Sequence, residues 1–206
     1  MTKLDFKKEW KHLYNPPKST LTMIDVPKMQ FLMVDGHGDP NTAREYGEAI
    51  EALYGVAYKM KFISKKVLER DYVVPPLEGL WWAEDMAAFS TARDKSQWDW
   101  TMMIMTPEWI TGEIFVDAIE QVRGGKNPAA LDKVHLQDYQ EGLSVQIMHI
   151  GSFDDEGPVL SEMHDEFIPA NGYTENGKHH EIYLSDFRKV SPEKLKTVLR
   201  QPVRNL

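Results

Sequence analysis

The sequence predicts an α+β fold: duplicated β-α-β-β modules forming an antiparallel-rich sheet with helices packed on it. Three observations carry this. Gln30 to Gly36 and Gln146 to Gly151 are both strand-like stretches that end in glycine. Each is followed by an acidic start and a helical periodicity, from Asp39-Pro40 in one case and Asp154-Asp155-Glu156 in the other. Two strand patterns then follow each helix, at residues 77–84 and 98–105 in the first half and 179–185 and 197–203 in the second. Repeated element order constrains architecture more than any single segment does.

The elements follow in chain order. Residues 5–14 predict a short helix with Phe6, Trp10 and Leu13 on one side, stopped by Asn15-Pro16-Pro17. Residues 20–26 alternate weakly (Leu21, Met23) and read as an edge strand. Residues 29–34 read as a strand, with Asp35-Gly36-His37-Gly38 as the turn after it. Asp39 then suits an N-cap and Pro40 the first helical position. Ala43, Tyr46, Ile50, Leu53, Ala57 and Met60 form the apolar stripe of that helix. Gly47 and Gly55 weaken it and point to a kink or a close helix contact.

Tyr72 to Pro76 ends in a rigid bend. The strand over 77–84 has Gly79 near its middle and places Trp81 and Trp82 on opposite sides. The strand over 98–105 has Trp98, Trp100, Met102 and Ile104 on one face and Asp99, Thr101, Met103 and Met105 on the other, so both faces read as covered. Thr106-Pro107-Glu108 predicts a helix start, ending near Arg123 at Gly124-Gly125. Asn127-Pro128 caps another short helix. Residues 143–150 read as a strand. The carboxylates at 154–156 suit a helix N-terminus, and Leu160, Met163, His164 and Phe167 form the stripe of the helix they open. Asn171-Gly172 ends it. In the tail, Ser191-Pro192-Glu193 reads as a helix start, yet 197–203 reads equally as a strand with Pro202 at its edge. The duplication favours the strand.

The 206 residues suffice for one large domain or two small modules. A net charge of −8 and only short Lys pairs (Lys7-Lys8, Lys65-Lys66) argue against nucleic acid as a partner. The sequence shows no apolar run of transmembrane length and no signal-peptide core. A cytoplasmic location is therefore expected, with no membrane partner. The absence of Cys excludes disulfides and thiolate metal ligands. Six Trp and eleven Met are the unusual part of the composition. These residues fill cores, and they also line adaptable pockets.

The segment His179-His180-Glu181-Ile182-Tyr183-Leu184-Ser185-Asp186 carries the chemistry. On a strand, side chains two apart share a face, so His179, Glu181 and Tyr183 point one way and His180, Ile182 and Leu184 the other. A carboxylate beside a phenol, in a chain rich in Trp and Met, suggests a small-molecule pocket with one negative charge. Trp81, Trp82, Trp98, Trp100 and Met102 are its candidate walls, placed at the seam of the two halves. The adjacent His179 and His180 face opposite sides and no third ligand has metal-site spacing, so no metal is expected. There is no G-x-S-x-G, no Ser-His-Asp order and no phosphate loop, so no cofactor is expected either. His149 reads as a structural histidine.

With these segments in place, the sequence resembles the GyrI-like small-molecule-binding family, most closely its stand-alone bacterial branch without a DNA-binding domain. The matching stretches are VPKMQFLMVDGHGDPN, YVVPPLEGLWW, EGLSVQIMHIGSFDDEGP and HHEIYLSDFRKVSPEKLKTVLRQPV. The resemblance implies a single domain over residues 1–206. Its parts are an N-terminal extension at about 1–28, a first repeat at about 29–105, a helical insertion at about 106–141 and a second repeat at about 142–204. It also implies that Glu181 sits in a ligand pocket with Tyr183 and aromatic residues around it. Relatives commonly have Pro after the Ser-Asp turn, where this chain has Phe187. Two functions follow as expectations. One is binding of flat, hydrophobic and in some cases cationic molecules. The other is hydrolysis of cyclopropane-bearing electrophilic natural products, with Glu181 and Tyr183 as catalytic residues. A protein-interaction role is a third class, for which no sequence patch stands out.

Overall fold

The computed structural model describes residues 2–84 and 94–206. In chain order it has β1 (Lys3–Leu4), α1 (Phe6–Glu9), α2 (Lys11–Tyr14), β2 (Thr22–Val26), β3 (Met29–His37) and α3 (Arg44–Val67). Then come β4 (Asp71–Tyr72), β5 (Leu77–Trp82), β6 (Asp99–Thr106), α4 (Gly112–Arg123), β7 (His135–Tyr139) and β8 (Gly142–Ile150). The last stretch holds α5 (Gly157–Ser161), α6 (Ile168–Ala170), β9 (Tyr173–Glu175), β10 (His179–Tyr183) and β11 (Lys196–Asn205). The fold is α+β and antiparallel-rich, as the sequence predicts. Two compact units share these elements. Unit one holds the described residues of 1–9, 29–75 and 79–139; unit two holds 10–28, 76–78 and 140–206.

Unit one is built on the strand order β5-β6-β3-β7. β3 pairs antiparallel with β6 from Gln30↔Thr106 to His37↔Asp99, and with β7 from Met29↔Tyr139 to Met33↔His135. α3 packs on β3, β6 and α4, and Ala49, Leu53, Val56, Ala57 and Met60 are among its buried residues. These residues recur at helical spacing, so one face of α3 is apolar and has a sheet to cover. Gly55 brings α4 close: a Cβ there would stand 3.7 Å from Val122. The glycine thus marks close helix contact within an unbroken helix, not a break in it.

Unit two has the order β2-β8-β11-β10, with β9 also on β11. β11 is central, pairing antiparallel with β8, β10 and β9. A core of Leu21, Val145, Ile147, Met163, Ile168, Leu199 and Val203 lies under the helical segment of residues 157–170. That segment changes from α to π winding over Glu162–Phe167 and back. π turns in an α-helix are rare and concentrate at functional sites.

The duplication is visible within each unit. The strand before the helix pairs with the last strand, and the last with the middle one: β3-β6-β5 and β8-β11-β10. Each module also has an outer edge strand taken from elsewhere in the chain. β2 immediately precedes β3 in sequence but pairs with β8, and β7 immediately precedes β8 but pairs with β3.

Several expected boundaries move. β3 continues through Asp35-Gly36-His37, because β6 runs alongside as far as Asp99 and His37 Nδ1 pairs with Asp99 Oδ1 at 2.8 Å. Gly36 is required there. The Trp100 ring lies directly over it, and any Cβ at this position would collide with the ring. The turn falls instead at Gly38, at φ +95°. Asp39 caps a turn by accepting from Asn41 N–H at 2.9 Å, and α3 starts later, at Arg44. Pro107 likewise opens a turn closed by Ile110 N–H to its carbonyl. The helix begins at Gly112 with Thr111 as N-cap. The first short helix is broken at Trp10. Pro202 is not at an edge: it sits opposite Ser144 in the central strand β11.

Candidate functional site

β10 presents two faces, and they differ in chemistry. On the first, Tyr183 donates its hydroxyl to Glu181 Oε2 at 2.7 Å. The Phe153 ring stands edge-on to Tyr183, with centroids 5.7 Å apart. Glu181 keeps 14% of its side chain exposed, so the carboxylate is sheltered but reachable. Its other oxygen, Oε1, lies 3.9 Å from Nε2 of His179, whose side chain is fully enclosed. His164, on the π-wound turn, lies against His179 with ring centroids 5.7 Å apart. His164 Nδ1 pairs with Glu175 Oε1 at 2.7 Å. Burial first, then the neighbouring His164 and His180, hold His179 well below the ordinary histidine range. It is therefore neutral at neutral pH.

The second face of β10 carries a buried ionic network. His180 Nδ1 lies 3.0 Å from both carboxylate oxygens of Glu141, and its Nε2 lies 2.9 Å from Oε2 of Glu78. A ring with a carboxylate at each nitrogen has a donor role at both. Burial alone would lower its pKa, but Glu141 and then Glu78 raise it to about 9. For Glu141, burial opposes ionisation, yet His180 and Arg200 hold its pKa down to about 2. Arg200 sits opposite His180 on β11 and is 1% exposed. It donates to Glu141 Oε2 at 3.1 Å, to Gln146 Oε1 at 3.0 Å and to the Leu13 carbonyl at 2.7 Å. Gln146 donates to the His12 carbonyl at 2.7 Å, and Tyr14 donates to Glu78 Oε1 at 3.4 Å. The network thus ties residues 12–14 to the sheet of unit two.

Glu181 and Tyr183 are therefore brought together, on the face the spacing predicts. Trp81, Trp98 and Trp100 cluster around Tyr46 in unit one. Trp81 meets Trp98 and Tyr46 at centroid distances of 5.8 and 6.1 Å, and Tyr46 meets Trp100 edge-on at 5.3 Å. Trp100 and Met102 are fully buried and Trp81 nearly so, while Trp82 and Trp98 are half-buried. A groove of about 270 Å³ also lies in unit one, lined mainly by Phe115, Val116, Ile119, Leu131 and Val134, with no candidate site residue among its walls. His149 is structural, as read, with Nε2 3.1 Å from the Ser152 carbonyl.

Sequence reasoning missed Glu78, Glu141 and Arg200. A signal was present for two of them. Glu78 stands in LEGLWW and Arg200 in TVLRQPV, single charges inside strands that are otherwise apolar or neutral. Such charges are rarely buried unless paired. Glu141 precedes its strand and gives no such cue.

The fold and the site chemistry define a mixed α/β domain with a sheltered carboxylate on its sheet. The profile of the family described as GyrI-like small molecule binding domain matches residues 20–204, and the chain belongs to that family. It is similar to an uncharacterized conserved protein from Listeria innocua at 43% identity, with a TM-score of 0.89, covering 98% of this chain and 100% of the other. A hydrolase encoded by lin2189 of Listeria innocua shares 43% identity over the same shares of both chains, with a TM-score of 0.87. The C-terminal domain of EcmrR shares the fold alone, at 11% identity and a TM-score of 0.56 over 91% of this chain and 98% of that one. No match is found among curated protein sequences. Among the described residues, no helix is long and apolar enough to cross a membrane.

Proposed function

We propose that the chain hydrolyses flat, hydrophobic, electrophilic small molecules, with Glu181 acting on water. The observation that carries this is the short hydrogen bond from Tyr183 to Glu181 on a sheltered carboxylate that still reaches solvent. The phenol orients the carboxylate, and a sheltered carboxylate that reaches solvent is a group suited to general-base catalysis. The similar protein encoded by lin2189, described as a hydrolase, supports the same reading. The substrate class is a strained cyclopropane conjugated to a carbonyl. Water attacks a ring carbon while Glu181 takes its proton. The new C–O bond forms as the ring C–C bond breaks. The electron pair passes to the conjugated carbonyl, whose oxygen takes up a proton. Such a reaction would destroy alkylating natural products.

The test is product formation from a cyclopropane-bearing electrophile, followed as the gain of one water in mass. Glu181→Gln is expected to lower kcat by about 10²-fold or more. Unchanged rates in that variant would remove Glu181 from the chemistry. The family description supports a second reading, binding without turnover. There, planar hydrophobic and cationic dyes quench tryptophan fluorescence while no electrophile is consumed.

A further inference from the structure

The dipeptide Asn-Gly occurs twice in the chain, at Asn171-Gly172 and Asn176-Gly177, on either side of β9. It is the sequence most open to attack of a backbone nitrogen on the preceding side-chain amide, because glycine has no Cβ to hinder the approach. All four residues are exposed, so solvent reaches both pairs. Their hydrogen bonding differs.

Asn171-Gly172 closes the helical segment of residues 157–170 and is pinned there. Asn171 donates its side-chain amide to the Phe167 carbonyl at 2.8 Å and its backbone N–H to the same carbonyl at 3.2 Å. Gly172 donates its N–H to the Pro169 carbonyl at 3.1 Å. The amide and the nitrogen that would attack it are both engaged. Asn176-Gly177 stands in a bulge. β9 and β10 both lie along β11, with Glu175 opposite Val203 and His180 opposite Arg200. Residues 176–179 therefore span a stretch in which β11 offers only Gln201 and Pro202. Pro202 has no N–H to give to the ladder, which explains why the chain leaves it here. Asn176 donates its N–H to the Pro202 carbonyl at 2.9 Å, and Gly177 accepts from the Gln201 side chain at 3.5 Å. Among the described residues, neither the Asn176 side-chain amide nor the Gly177 N–H makes a hydrogen bond. Gly177 sits at φ +109°, a conformation that suits glycine alone.

We propose that Asn176 is a self-modification site, at which the folded protein exchanges an amide for a carboxylate. Solvent base removes the Gly177 N–H proton, and the nitrogen attacks Cγ of Asn176. The new C–N bond forms as the side-chain nitrogen leaves as ammonia, which closes a five-membered imide. Water then opens the ring. Attack at the side-chain carbonyl gives aspartate, and attack at the backbone carbonyl gives isoaspartate, with the chain running through the former side chain. Either product places a negative charge beside Glu175, the partner of His164 at 2.7 Å. Isoaspartate also adds a methylene to the backbone just ahead of β10, the strand that bears Glu181.

The proposal does not depend on the hydrolase reading, and its test needs no substrate. The folded protein is incubated at pH 8 and 37 °C beside a sample unfolded in urea, and both are followed by peptide mapping with mass spectrometry. In the folded protein Asn176 is expected to convert about tenfold or more faster than Asn171, whose turn must first open. In urea the two should convert at similar rates. Asn176→Gln should abolish conversion at that position and leave Asn171 unchanged. An Asn171 that converts as fast as Asn176 in the folded protein would overturn the proposal. So would an Asn176 that stays intact while the unfolded sample converts, or the same rate difference in urea, which would make it a property of the sequence and not of the fold.

Discussion

Raising the pH from 6.5 to 9.5 is expected to cost this protein about 3 kcal/mol through His180 alone. His180 holds its proton to about pH 9 in the folded chain, against an ordinary value of 6.5. At about 1.4 kcal/mol per pH unit of difference, that proton is worth about 3 kcal/mol. A raised pKa stabilises fully below pH 6.5, where both folded and unfolded chains are protonated. The benefit declines as the unfolded chain loses its proton, and it is gone once the pH passes 9. Glu141 behaves in the opposite sense. Its pKa is held at about 2 against 4.5, so its contribution is present above pH 4.5 and fades as the pH falls towards 2. Both values describe largely the same contact, so they are not added. The assay is urea unfolding at pH 6.5, 8 and 9.5, read by tryptophan fluorescence, with His180→Gln as the control. The variant should be less stable at pH 6.5 by about the same 3 kcal/mol and should show a flatter profile above it. An alkaline slope that persists unchanged in His180→Gln would refute the reasoning.

Arg200→Met should cost about 3–5 kcal/mol, because it leaves Glu141 beside a single cation and the Leu13 carbonyl without its donor. Urea midpoints measure this, and the penalty should shrink when Glu141→Gln is already present. Gly36→Ala should destabilise by about 1–3 kcal/mol, since Trp100 must leave its place over residue 36. A shifted tryptophan emission maximum would accompany the loss. Tyr183→Phe keeps the ring against Phe153 but removes the donor to Glu181. Under the hydrolase reading it should lower kcat about tenfold with little change in substrate binding.

What could be read from the sequence depended on how local the cause was. The pairing of Glu181 with Tyr183 follows from a two-residue spacing on one strand, and it is present as a hydrogen bond. The repeated β-α-β-β order was legible because each helix and strand carries its own periodicity. β7 was not, since HLQDY has one aliphatic residue and no clean alternation, and it exists because β3 offers it an edge. The three-residue β9 gave no pattern at all. Helix starts were misplaced at Asp39 and Pro107 because capping residues also stabilise turns, and there the turns won. The Glu78, Glu141, His180 and Arg200 network joins residues far apart in the chain, so no window of sequence contains it.

The exchanged edge strands give the two modules unequal standing during synthesis. By the time residue 139 has been made, every segment of unit one exists. Unit two at that moment consists only of residues 10–28 and 76–78: β2 with no β8 to pair with, Tyr14 and Glu78 with no His180. Those pieces wait for the ribosome to deliver β8, β10 and β11, the last of which brings Arg200 to the Leu13 carbonyl. Domains fold as units once their segments are available. The first module can therefore assemble on the emerging chain, while the second, which carries Glu181, closes only after β11 has been made.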